Sequence, residues 1–280
     1  MLDAWVGREE QADDEVSLAG ARRMAALLDR SGDGLARGVS VPAHWYVMLF
    51  NPLAPQSGLG PDGHPQKGQF LPPVPLPRRM FAGRRAWFHR PLIIGETVTR
   101  TSRIQSITPK QGRSGEMCFV TVRNEITSPA GLAIVEEQDI VYRADPSGKA
   151  APPARADAVD TEAAQWSQAF EPDATLVFRY SAITFNAHRI HYDMAYAREA
   201  EGYPALVVNG GLTTLMLWEL AVARCGRPIM SSSTRNLKAL FVGQPAVLAG
   251  RTDAAGRVQA WALDGAGERA IEMTLELADQ

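Results

Sequence analysis

The stretch "GLTTLMLWELAVARC", Gly211–Cys225, is apolar on nearly every side of a helical projection. A surface helix carries one apolar stripe, whereas a helix apolar all round has to be buried on all sides. A sheet wrapped round it would bury it so. The flanking sequence supplies such a sheet. Downstream, "RVQAWALD" and "ERAIEMTLELA" alternate as two strands joined at "GAG", Gly265–Gly267. Between helix and hairpin, "LKALFVGQPAVLAGRTD", Leu237–Asp253, bends at Gly243.

The first half of the 280-residue chain has similar parts. "FHRPLIIGETVTRTSRIQSI" reads as two extended runs about Gly95, the counterpart of Gly243. "EMCFVTVRNEI" and "LAIVEEQDIVYR" predict a hairpin closed by "TSPAG". Ser17 could cap an amphipathic helix over 17–30, in which Leu18, Ala21, Met24, Ala25 and Leu28 fall at three-to-four spacing. The chain therefore reads as an α+β protein built from two copies of one unit. The N-terminal copy spans 1–144 and the C-terminal copy 164–280. The proline-, alanine- and aspartate-rich 145–163 forms a linker between them. Prolines and glycines from Asn51 to Pro77 are too dense for a regular helix or a central strand. A loop of that length in a compact chain is usually functional or mobile.

Bulk composition narrows the function. Hydrophobic residues make up 45% and charged residues 21%, ordinary for a globular chain. Net charge is −2 with no basic stripe, which argues against a nucleic-acid partner. Cys118 and Cys225 have no CxxC or Cys/His spacing, so neither a disulfide framework nor a zinc site is expected. That points to a reducing, cytoplasmic setting. The start "MLDAWVGREEQADDEVS" has no apolar core and does not read as a signal peptide. No run of about 18 apolar residues exists, so no membrane span is expected.

Polar chemistry concentrates in "YSAITFNAHRIHYD", Tyr180–Asp193. His188 and His191 sit at i, i+3 and could share a zinc ion on one helical turn. No HExxH pattern, nearby cysteine or third histidine accompanies them, and no metal is expected. A polar loop leading into a helix from Ala195 to Glu201, capped by Asp193, reads equally well. A second feature follows in "GYPALVVNGGLTT". A strand-like run, Leu206–Val208, ends at Asn209, Gly210 and Gly211, and a helix begins at once. Free N–H groups at a helix start attract negative charge, such as that on an enolate oxygen. A tight turn entering a buried helix is the alternative. Taken together, the two features supply an imidazole for acid/base work, an amide to hold water and an N–H donor for a thioester oxygen. Adding water across a double bond conjugated to a thioester needs those three things.

"FRYSAITFNAHRIHYD" followed by "EGYPALVVNGGL" resembles the MaoC-like hydratase group of the double hot-dog fold. Within it the nearest branches are the mesaconyl-C4-CoA hydratases and the mitochondrial 3-hydroxyacyl-thioester dehydratases. "DGHPQKGQFLPPVPLPRRMFAGRRAWFHRPLIIGE" and "GRSGEMCFVTVRNEI" extend the resemblance over the first half. The resemblance implies reversible hydration of an enoyl-CoA, with a short dicarboxylic acyl group such as mesaconyl. Coenzyme A would be part of the substrate, and no separate cofactor is expected.

The family motif reads D-x-N-P-x-H. Aligned on its last residue, it places His191 at the catalytic histidine, Asn186 at the aspartate and His188 at the asparagine. An amide can orient water but cannot take its proton, so His191 would carry more of the acid/base work, helped by Asp193 or Tyr180. Gly210 resembles the family's oxyanion donor. Asn209 stands where relatives commonly have histidine, and Gly211 where they have proline. Tyr180, His188, Asn209 and Gly211 become candidate substrate contacts. Arg189 could grip an acyl carboxylate, or equally be solvated or internally paired. Arg78 and Arg79, with Arg84 and Arg85, form the densest basic cluster and are candidates for the coenzyme A phosphates; a solvated face is the commoner meaning of such a cluster. The second copy would carry the chemistry. The first lacks an N-x-H-x-x-H cluster and would shape the pocket. The halves are expected to pair edge to edge in one sheet, and a homodimer is possible. A thioesterase on the same fold and a non-catalytic acyl-thioester binder are the alternative functions.

Overall fold

The computed structural model describes residues 2–112, 115–144 and 164–279. The expected linker, 145–163, lies outside the described residues. The first half contains β1 (Glu9–Glu15), α1 (Leu18–Leu27), β2 (Ser40–Val41), β3 (Arg78–Phe88), β4 (Leu92–Ile93), β5 (Thr97–Gly112), β6 (Gly115–Ser128) and β7 (Gly131–Arg143). The second contains β8 (Trp166–Phe170), α2 (Ala174–Ile183), α3 (Met194–Glu199), α4 (Gly210–Cys225), β9 (Ile229–Asn236), β10 (Ala246–Thr252), β11 (Val258–Leu263) and β12 (Arg269–Leu277).

One antiparallel sheet runs through both halves in the order β1-β5-β6-β7-β3-β9-β12-β11-β10-β8. Read inward from either edge, the strands correspond in chain order: β1 to β8, β5 to β10, β6 to β11, β7 to β12 and β3 to β9. The halves join where β3 pairs with β9, from Gly83↔Arg235 to Trp87↔Ser231. Gly83 is needed at that seam, because a Cβ there would lie 2.5 Å from the Thr234 carbonyl oxygen. Gly95 and Gly243 turn the chain into β5 and β10 with φ of +94° and +76°. The left-handed region suits a residue without Cβ.

Helix α4 is buried as its composition requires: Leu212, Leu215, Leu217, Trp218 and Ala221 are all inaccessible. Its one acid, Glu219, is buried too and accepts from His44 Nε2 at 2.6 Å and Trp45 Nε1 at 2.7 Å, and pairs with Arg30. Thus the polar residue of the interior helix ties the two halves together. Helix α1 begins at Ser17, whose hydroxyl accepts the Gly20 N–H at 3.0 Å.

Among the described residues the first half has no helix matching α4. By chain order α1 corresponds to α2. The place of α4 is taken by a short 3-10 turn, Ala43–Met48, and then by the proline-rich loop. That loop lays Phe70, Leu71, Val74 and Leu76 against Ile104, Cys118, Val120, Val122 and Tyr142 of the sheet. A six-residue turn cannot fill the concave face that a 16-residue helix fills in the other half. The unfilled space becomes the cavity described below. Leu206–Val208 is not a strand; Val207 makes a single bridge to Phe241. Among the described residues no helix is long and apolar enough to cross a membrane.

Candidate active site

Asp173 caps α2, accepting the Leu176 N–H at 2.7 Å, and the helix delivers Tyr180 to the interior. Beyond it Phe185 adopts φ +48° and the chain turns sharply. Asn186 closes this turn: its Oδ1 accepts the His188 N–H at 3.0 Å. A 3-10 turn, Arg189–His191, follows. Asp193 then caps α3, accepting the Tyr196 N–H at 3.0 Å.

His191 is 8% exposed, and its Nδ1 lies 2.7 Å from the Val207 carbonyl oxygen. A carbonyl only accepts, so Nδ1 carries the hydrogen and Nε2 keeps a free lone pair. Burial pushes the ring's pKa down to about 4, against the opposing pull of the Val207 hydrogen bond; the nearby His64 lowers it further. The ring is neutral at pH 7 and ready to accept a proton.

The Val207 backbone also donates to Ile190 O at 3.0 Å, which lays the Val207–Asn209 segment beside the His191 turn. Helix α4 starts there with no side-chain cap at Asn209. Its first amides, at Gly210 and Gly211, have no intrahelical acceptor. Asn209 donates to Ser181 Oγ at 3.3 Å, and its own Oδ1 is buried without a partner. A Cβ on Gly211 would run into the Tyr180 hydroxyl, and one on Gly210 would meet Asn236 Nδ2 at 3.1 Å. Burial raises the Tyr180 phenol to about 12, with Arg84 opposing and Glu136 adding, so it stays protonated.

One cavity of about 2070 Å³ is lined by His191, Asn186, His188, Tyr180, Asn209, Gly210, Gly211, Arg78 and Arg79. Arg189 is not among its walls. Its Nε and Nη2 bind Asp193 Oδ2 at 3.1 and 2.7 Å, and its Nη1 binds Pro61 O at 3.0 Å. The guanidinium lies 4.2 Å from the centre of the Tyr196 ring. Of the readings left open for Arg189, the geometry matches the internal ion pair rather than a grip on a substrate carboxylate. Asp193 is spent on the same pair and on its helix cap, so it does not assist His191 either. Asn186 borders the cavity, with one lone pair of its oxygen used in the turn.

Strand alternation splits the basic cluster. Arg85 faces out and binds Glu137 at 2.9 Å and Asp139 at 2.6 Å. Arg84 faces in, 9% exposed, with Nε 2.6 Å from Glu136 Oε1. Glu136 also accepts from Tyr46, Asn124 and Gln138. Arg78 donates to Glu201 O at 3.0 Å, and Arg79 to Pro65 O at 3.3 Å. Arg79 makes no ion pair among the described residues.

The proline-rich loop, where no site residue was expected, lines much of the cavity and brings Asp62 and His64 into it. His64 Nδ1 is 2.8 Å from Asp62 Oδ2, and the His64 ring centre is 4.0 Å from that of His188. The His188 ring in turn stands 5.5 Å from that of His191, edge to face. Burial tends to raise the Asp62 carboxyl, but its hydrogen bonds from His64, with Arg79 nearby, hold it well below the ordinary range. Burial lowers His188 to about 2, and lowers His64 against the pull of Asp62. The loop is fixed to the second half: Arg189 N donates to Asp62 O at 2.9 Å. Gly63, at φ +86°, passes so close to Ala187 O that a Cβ could not fit. The signal in the sequence was a third histidine beside an aspartate in a long loop. Asp62, His64 and His188 also form a group, among the described residues, whose ligand atoms could hold an ion, all lying within 4.8 Å of one another.

Residues 43–242 match the family of hydroxyacyl-thioester dehydratases type 2. The chain is 44% identical over 274 residues to a mesaconyl-C(4)-CoA hydratase of Chloroflexus aurantiacus, covering 98% of this chain and 97% of that one. Among solved structures it resembles a MaoC-like dehydratase, with a TM-score of 0.75 at 17% identity and full coverage of both chains. It also resembles a Mycobacterium tuberculosis protein described as a double hot-dog fold, with a TM-score of 0.61 at 13% identity over 97% of this chain and 96% of that one.

Proposed function

Because the chain belongs to the type 2 hydroxyacyl-thioester dehydratase family, we propose that it reversibly hydrates an enoyl-CoA, and that its substrate is a short branched dicarboxylic acyl-CoA of the mesaconyl-C4 type. One observation carries this: His191 and the uncapped start of α4 at Gly210 face the same cavity. Neutral His191 takes a proton from water on Nε2 as the water oxygen bonds to the β carbon. The alkene electron pair moves toward the thioester, making an enolate. The Gly210 amide, at the positive end of α4, meets the new negative charge on oxygen. The imidazolium then returns its proton to the α carbon, and atoms and charge balance. Neutral Tyr180, beside Gly211, is a further donor on that wall.

The dicarboxylic preference rests on the 44% identical hydratase and on Arg79. A carboxylate on the acyl group needs a cation inside the cavity, and Arg79 lines it without an ion pair of its own. Its Nη2 binds Pro65 O at 3.3 Å, next in the chain to His64. Arg78, on the same strand, stays the candidate for coenzyme A, which enters as part of the substrate.

The test is hydration of mesaconyl-C4-CoA and crotonyl-CoA by the purified chain, followed as loss of enoyl-thioester absorbance. The expected result is turnover of the dicarboxylic ester, lowered at least about 100-fold in His191→Ala. Release of free thiol would make the protein a thioesterase. Tight binding of the esters without turnover would make it a carrier. Either result overturns the proposal.

A further inference from the structure

Attacking water has two O–H groups, and holding both leaves a lone pair aimed at carbon. His191 Nε2 accepts one. Asn186, where the family has its aspartate, has one lone pair of its oxygen held by the His188 N–H at 3.0 Å, and its amide cannot share a proton as a carboxylate would. A candidate acceptor lines the same cavity on the loop of the other half, where the His64 ring packs on His188 and His188 on His191. Asp62 accepts twice from His64, with Oδ1 3.0 Å from the backbone N and Oδ2 2.8 Å from Nδ1. A carboxylate has no hydrogen to give, so the His64 ring hydrogen sits on Nδ1 and Nε2 is bare. Both residues line the same cavity as His191.

The geometry points to His64 as a second catalytic residue, contributed by the first half: its Nε2 accepts the second O–H of the attacking water, and Asp62 is the positioning residue that fixes its tautomer. The inference rests on the hydratase reading and deepens it. The carboxylate absent from position 186 is replaced by a carboxylate–imidazole pair delivered from the opposite half. His64 neither gains nor loses a proton overall; the proton taken by His191 is the one returned to the α carbon. The same pair could be read as two ligands of an ion shared with His188. Yet hydrogen bonds alone account for how Asp62 and His64 are held together.

The experiment compares His64→Ala, Asp62→Asn and His191→Ala on one enoyl-CoA, with nitrogen-15 spectra of the histidine rings. His64→Ala should lose about 100-fold in kcat with KM changed less than about threefold, and added imidazole should restore part of the rate. Asp62→Asn should lose at least about 10-fold. At pH 7 the spectra should show His64 with hydrogen on Nδ1 and a bare Nε2, and that pattern should be lost in Asp62→Asn. Wild-type kcat in His64→Ala while His191→Ala is dead overturns the inference and leaves the hydratase reading standing. Rate lost to a chelator and restored by a divalent metal overturns it in favour of an ion. If the wild type hydrates nothing, the hydratase reading and with it this role fall together, whatever the tautomer. A variant that fails to fold leaves the spectra of the wild type to decide: an imidazolium, or hydrogen on Nε2, rules the role out.

Discussion

At the scale of single residues, the proposal turns on His191 being neutral and buried. With a pKa near 4, His191 loses its function as a base only in strong acid. We expect kcat/KM for hydration to stay level from pH 7 to about pH 5 and to fall below that with an apparent pKa near 4. An acid limb near 6.5 would show the ring to be solvated instead. Stability has the same sign. A histidine whose folded pKa is depressed gives its full contribution above its unfolded value of 6.5. The contribution declines as pH falls toward about 4, because only the unfolded chain binds the proton in that window. The shift corresponds to about 3 kcal/mol. Arginines give a second prediction. Arg79→Ala should raise KM for mesaconyl-C4-CoA about 10-fold or more and leave crotonyl-CoA, which has no second carboxylate, almost unaffected. Arg189→Ala should change both esters alike, since it would act through the Asp193 pair and the loop. His191 and Gly210 were legible because their neighbours in sequence are their neighbours in space. Asp62 and His64 were not, because only the folded loop brings them to His188. Arg189 stayed open between two readings because a cation in a motif does not reveal its partner, here Asp193 four residues on.

Elements were legible where burial had one meaning. An all-apolar helix such as α4 has few places to go, and the β6–β7 and β11–β12 hairpins show their alternation openly. Strands β1, β3 and β9 escaped notice for a physical reason. β1 is an acidic edge strand, "EEQADDE", exposed along most of its length; its charges suit an edge that must not recruit another strand. In β3, Arg78, Arg79 and Arg84 line the cavity, and in β9 Ser231 and Ser232 bond Glu276 and Trp218, so neither run shows a plain apolar alternation. The loop from Asn51 to Pro77 was recognised as irregular, but its docking was not. That docking hinges on Gly63, whose positive φ and contact with Ala187 O leave no room for a side chain. We expect Gly63→Ala to release the loop tip from the 187–189 backbone. The strain is worth about 1–3 kcal/mol locally. It should lower kcat at least 10-fold while the midpoint of thermal unfolding drops by only a few degrees. Unchanged kcat would mean that the tip is not part of the working site.

Over the whole molecule, the two halves share one sheet and one core. The largest hydrophobic cluster runs from α1 and the 3-10 turn through α4 to β12. Such a chain should unfold as one unit, although its sequence reads as a duplication. Glu219 is the polar link in that shared core, with His44 and Trp45 buried against it and Arg30 reaching it from the surface. Replacing it with alanine leaves the His44 ring and the Trp45 N–H without their acceptor. Breaking a buried charged contact in this way costs about 3 kcal/mol or more. Burial tends to raise the Glu219 carboxyl, but the His44 and Trp45 hydrogen bonds and the His44 and Arg30 charges prevail and lower it below 4.5. A depressed acid contributes stability above its unfolded value and loses it as pH falls through its folded one. The difference in unfolding free energy between wild type and Glu219→Ala should therefore be large at pH 7 and shrink below pH 4.5. In both proteins denaturant should produce one transition, with intrinsic fluorescence and far-ultraviolet dichroism coinciding. Two separated transitions in the variant would mean that the halves are independent domains merely abutting at β3 and β9. A cavity built from both could not then hold His64 and His191 in fixed register.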